Sequence, residues 1–73
     1  MRVYFTKTLI EGKGYSTCNV KLSSDLEQLK NYAQQVVDFY VDAGGFIEKK
    51  TDLKYVVVDN DLKVTITIEN QEI

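Results

Sequence analysis

One stretch of this chain has a helical period, and everything around it alternates as strands do, so helix-on-sheet packing is the only economical way to bury its apolar residues. From Ser24 to Gly45, the residues Leu26, Leu29, Ala33, Val36, Val37, Tyr40 and Val41 recur at steps of three and four. At about 100° per residue they fall in one apolar stripe. Ser24 and Glu27 have the spacing of a capping box, with Asp25 beside the positive end of the helix dipole. Gly44-Gly45 can take the left-handed conformation that ends a helix.

Before the helix, residues 2–10 alternate, with Val3, Phe5 and Leu9 on one side and Tyr4, Thr6 and Thr8 on the other. Glu11-Gly12-Lys13-Gly14 reads as a turn, and Tyr15 to Leu22 alternates again, with Cys18, Val20 and Leu22 on one face. Pairing Ile10 with Tyr15 sets Phe5 opposite Val20 and Val3 opposite Leu22, an apolar face expected to meet the helix. Lys7 then falls among those apolar residues, opposite Cys18, with no evident reason.

After the helix, Phe46 to Val58 reads as a strand with a potential break near Thr51-Asp52, and Leu62 to Glu69 as a second. An Asn60-Asp61 turn brings Val57 to Val64, Tyr55 to Ile66 and Leu53 to Ile68. Asn70 to Ile73 is expected to fray. The expected fold is α+β, in the order β-β-α-β-β: a single domain over residues 1–73 whose four-stranded antiparallel sheet, two hairpins, carries the helix across one face. With no proline in the chain, no strand is excluded from the middle of the sheet.

Composition removes most catalytic chemistry. The 73 residues contain no histidine, the commonest general base and metal ligand, and one cysteine, Cys18. A nucleophile would lack its usual partner, and no cysteine-rich metal site or intrachain disulfide can form. Gly12-Lys13-Gly14 lacks the upstream glycine and the following helix of a phosphate-binding loop, and Asp59-Asn60-Asp61 lacks the glycine of a calcium loop. No catalytic, cofactor or metal site is expected. Residues 1–10 lack the apolar core of a signal peptide, no apolar run approaches the roughly 20 residues of a membrane span, and the lone cysteine fits a reducing compartment, so a cytoplasmic protein without membrane contact is expected.

What remains is surface. Between Asp25 and Asp42 the helix carries four acids against one lysine, and Asn31, Gln35, Asp38 and Asp42 align on its outer face, flanked by Tyr32 and Phe39. Asp38 and Asp42 sit one turn apart near the helix end, where the dipole disfavours anions, an arrangement that suits a partner protein with a basic surface. An alternative is single-stranded nucleic acid on the sheet face away from the helix, through Arg2, Tyr4, Lys21, Lys54 and Lys63, although the net charge of -2 and the scarcity of exposed aromatics make nucleic acid the weaker partner. A second alternative is a homodimeric accessory protein joined by that face through Val56, Val58 and the threonines. Small size and missing catalytic parts together give the general character of many phage and mobile-element inhibitors, which would act in the host cytoplasm by occluding a partner protein; no residue-level motif carries that likeness.

Overall fold

The computed structural model describes residues 2–72. The periodic stretch forms α1 (Leu26–Asp42). Its N-cap is Asp25, not Ser24: the Asp25 carboxylate accepts from the Glu27 backbone N–H at 3.0 Å. Ser23 braces the cap, its Oγ accepting from the Asp25 N–H at 3.0 Å and donating to Gln28 Oε1 at 2.7 Å. In the run Ser23-Ser24-Asp25 three residues compete for one role, and the carboxylate has the added attraction of the helix dipole. At the other end Gly44 adopts φ +111°, the Gly44 N–H donates to the Val41 carbonyl and the Gly45 N–H to the Tyr40 carbonyl. This 5→2 and 6→1 pair closes the helix as a Schellman motif.

Five strands, not four, make the sheet: β1 (Arg2–Gly12), β2 (Tyr15–Ser23), β3 (Phe46–Lys50), β4 (Lys54–Asp59) and β5 (Leu62–Glu72). Their spatial order is β2-β1-β5-β4-β3, every neighbouring pair antiparallel. The extra strand comes from the break at Thr51-Asp52, which becomes a full reversal. The Thr51 N–H and hydroxyl both donate to the Lys54 carbonyl, at 2.8 and 3.3 Å, and fold β3 back against β4. The β4–β5 register is the one the alternation dictates, with Val57 opposite Val64 and Tyr55 opposite Ile66. Asn60 takes the turn's left-handed position at φ +39°, which asparagine tolerates better than most residues. The end of β5 does not fray within the described residues: Asn70, Gln71 and Glu72 pair with Tyr4, Val3 and Arg2, while Ile73 lies outside them.

The first hairpin differs from expectation in two ways. Its turn is the two residues Lys13-Gly14, with Gly14 at φ +87°, so Gly12 pairs with Tyr15 and each partner moves along by two. Phe5 now meets Leu22, Lys7 meets Val20 and Leu9 meets Cys18. A shift of two leaves each residue on its face. The larger difference is which face meets α1. Directly paired residues of an antiparallel sheet share a face, and β1 pairs with β5 so that Thr6 lies beside Ile68, Thr8 beside Ile66 and Ile10 beside Val64. Those β5 residues join Tyr55 and Val57 in the core under Ala33 and Val37 of the helix.

The even-numbered residues of β1 therefore look toward α1. Thr6 and Thr8 are 0% and 4% exposed, while Val3, Phe5, Leu9, Cys18, Val20 and Leu22 occupy the face away from the helix, hereafter the open face. This reverses the sequence expectation for the hairpin and accounts for Lys7. On the open face its ammonium sits 3.1 Å from the Glu69 carboxylate and 5.7 Å from the centre of the Phe5 ring. Leu29, Val37, Val57, Val64 and Ile66 are fully buried, each worth about 1.5–3 kcal/mol of transfer free energy.

Candidate protein-binding surface

Because β1 and β2 extend past the flank of α1, a cleft opens between them. Tyr32, Gln35, Val36, Phe39 and Tyr40 form its helix wall; Thr8 and Ile10 of β1 and Asn19 of β2 form the sheet wall, enclosing about 300 Å³. The helix period explains the first wall, since these residues lie on one side of the buried stripe. The second follows from the face reversal, which turns Thr8, Ile10 and Asn19 toward the helix.

The cleft is apolar with a few polar points. Phe39 is 67% exposed and meets Tyr40 edge-to-face, centroids 5.2 Å apart at 88°. Tyr32 is half-buried, and the Lys21 ammonium lies over its ring, 4.7 Å from the centroid. Thr8 Oγ1 and the neighbouring Thr6 Oγ1 are buried without a hydrogen-bond partner. An unpaired buried hydroxyl is a cost the fold carries on this side of the sheet.

Of the residues singled out on the helix, Tyr32, Gln35 and Phe39 line the cleft, and Asn31, Asp38 and Asp42 lie exposed on the adjoining outer face. Asp38 has a local partner: its carboxylate accepts from Gln34 Nε2 at 2.9 Å, one turn back. No basic residue stands in the last turn to balance Asp42. Sequence reading missed Thr8, Ile10 and Asn19, which alternation had assigned to the open face or to no site.

The residues weighed for nucleic acid are not brought together. Arg2, Tyr4 and Lys21 share a face with Thr6, toward α1, whereas Lys54 and Lys63 alternate with core residues and project from the open face. Arg2 is moreover ion-paired to Glu72 at 3.2 Å. The expected basic face assumed that the first hairpin turned its polar side outward; the β1–β5 register turns that side inward.

Among the described residues, no three His, Cys, Asp or Glu side chains are grouped to hold a metal ion, and no helix is long and apolar enough to cross a membrane. No family model, curated protein or solved structure matches the chain, so the site is interpreted from its own geometry.

Proposed function

We propose that this protein is a non-catalytic binding module that occludes a partner protein, taking an apolar side chain of that partner into the cleft between α1 and the β1–β2 hairpin. The observation that carries the reading is Phe39, a large aromatic 67% exposed at the mouth of a cleft it shares with Tyr32 and Tyr40. Aromatic residues beside a concave apolar surface are the usual anchors of protein interfaces. The partner surface beside the inserted side chain is basic, because Asp38 and Asp42 are exposed on the adjoining outer face of α1 and no lysine or arginine of the last helical turn offsets them. Catalysis is disfavoured by the lack of any histidine and by a cleft whose lining contains no acid.

Affinity capture from the native host tests the reading, with the wild-type chain compared against a Tyr32→Ala/Phe39→Ala variant and an Asp38→Lys/Asp42→Lys variant. A partner retained by the wild type should be lost from the first variant and weakened in the second, with both melting close to the parent. Loss of two aromatic anchors corresponds to about 2 kcal/mol or more, roughly thirtyfold in affinity. Undiminished capture by the aromatic double variant would remove the cleft as the site.

A further inference from the structure

One atom in the wall of the cleft constrains the chemistry of what enters it. Asn19 and Gln35 are exposed at its rim, so water satisfies their amides in the free protein. Thr8, in the sheet wall, is 4% exposed, and its Oγ1 is sheltered from water without a hydrogen-bond partner. An unpaired buried hydroxyl destabilises the free chain, and an occupant that supplies the missing bond offsets that cost. We infer that the partner side chain seated in the cleft is a tyrosine or a tryptophan, an aromatic ring whose one polar hydrogen is donated to Thr8 Oγ1. The inference rests on the cleft being the docking site proposed above, and specifies what that site takes.

The lining rules out the other side chains in turn. It contains no Asp, Glu, Lys or Arg, so a charged side chain would lose its water and find no counter-charge. Ile10, Val36 and the rings of Tyr32, Phe39 and Tyr40 supply most of the walls, and Phe39 and Tyr40 already meet edge-to-face at 5.2 Å, an arrangement that a third ring can extend. A small polar side chain would pair the hydroxyl but leave those apolar walls and much of the roughly 300 Å³ uncovered. Leucine or phenylalanine would cover the walls and leave Thr8 unpaired in a site now closed to water. Tyrosine and tryptophan combine a large apolar body with a polar tip, and a threonine hydroxyl accepts equally from a phenol O–H or an indole N–H. Oγ1 and Cγ2 of Thr8 share one carbon, so a staggered step in χ1 carries the hydroxyl to the place of the methyl and lets it face the entering ring.

Nuclear magnetic resonance titration with side-chain analogues tests the assignment: p-cresol against toluene, which lacks the hydroxyl, and 3-methylindole against 3-methylbenzofuran, which lacks the N–H. All should shift the amide signals of Tyr32, Val36 and Phe39, and within at least one pair the analogue with the polar hydrogen should bind about threefold to tenfold more tightly, the worth of one net hydrogen bond. A preference confined to p-cresol identifies tyrosine, and one confined to 3-methylindole identifies tryptophan. In Thr8→Val the ratio should fall to about one, and Thr8→Ser should restore it. Thr6→Val is the control, because the Thr6 hydroxyl is buried and unpartnered in the same way but does not line the cleft, so its removal should leave the ratio as it was. Equal binding within both pairs overturns the inference and leaves the cleft as a docking site; so does a preference that survives Thr8→Val. If none of the analogues shifts the cleft residues, the inference and the proposed site fall together.

Discussion

Replacing Thr6 or Thr8 by valine should stabilise the protein, an unusual direction for a core substitution. Each side chain is almost wholly buried, and each Oγ1 lacks a partner. A buried hydroxyl with no hydrogen bond costs about 1–3 kcal/mol. Exchanging it for a methyl of nearly the same shape removes that cost and adds about 0.8 kcal/mol of apolar burial beside Ile68 or Ile66. Allowing for imperfect fit, each single variant should gain about 1–2 kcal/mol. For a domain of this size that is a rise of roughly 4–8 °C in Tm per kcal/mol. The two sites are neighbours on one face of β1, so the double variant need not be additive. Thermal and urea unfolding followed by circular dichroism provide the assay, at one low protein concentration so that association does not contribute. A change within about 0.5 kcal/mol is what solvent-facing threonines give, and a loss of 1 kcal/mol or more means the hydroxyls are paired. The first result would refute the orientation assigned to the hairpin; the second would refute the unpaired state of the two hydroxyls.

The helix ends give two further tests. Asp25→Ala should cost about 1 kcal/mol, because its carboxylate satisfies the Glu27 N–H, whereas Ser24→Ala should stay within about 0.5 kcal/mol; equal losses in urea unfolding would return the cap to Ser24. Gly45→Ala should destabilise by about 1–3 kcal/mol, since a Cβ there would lie 2.9 Å from the Tyr40 carbonyl oxygen and 3.2 Å from both Val57 Cγ1 and the Val58 carbonyl oxygen. Two of those three neighbours are backbone atoms that cannot rotate away, so an unchanged Tm would contradict the close packing of the α1–β3 connection on β4.

What could be read from the residues alone follows from what periodicity encodes. The stripe from Leu26 to Tyr40 located α1, and the alternation of Val57, Tyr55, Val64 and Ile66 set the β4–β5 register, because both patterns are local and have one solution. The break at Thr51-Asp52 was visible but ambiguous; it is the antiparallel pairing of Phe46, Ile47, Lys49 and Lys50 with Val58, Val57, Val56 and Tyr55 that makes β3 a separate strand. Gly12 was assigned to a turn although it ends a strand, which displaced the first register by two. The facing of β1–β2 was not fixed by alternation. Alternation states which residues share a side, and the choice of side is made by the long-range pairing of β1 with β5. Lys7 was the one local sign, since a lysine among apolar neighbours on an interior strand argues that the face is reached by water or by a charge partner. For the same reason the helix wall of the cleft, Tyr32, Gln35 and Phe39, could be named in advance and its sheet wall could not.

The central claim is that the first hairpin turns its threonines, not its aliphatic residues, toward α1. Nuclear Overhauser contacts between methyl groups and helix side chains test it most directly. The account predicts contacts from Thr8 and Ile10 to Val36 and Tyr40, with none from Leu9, Val20 or Leu22 to any residue of α1. Contacts from Leu9 or Val20 to the helix, with Thr8 silent, would contradict it.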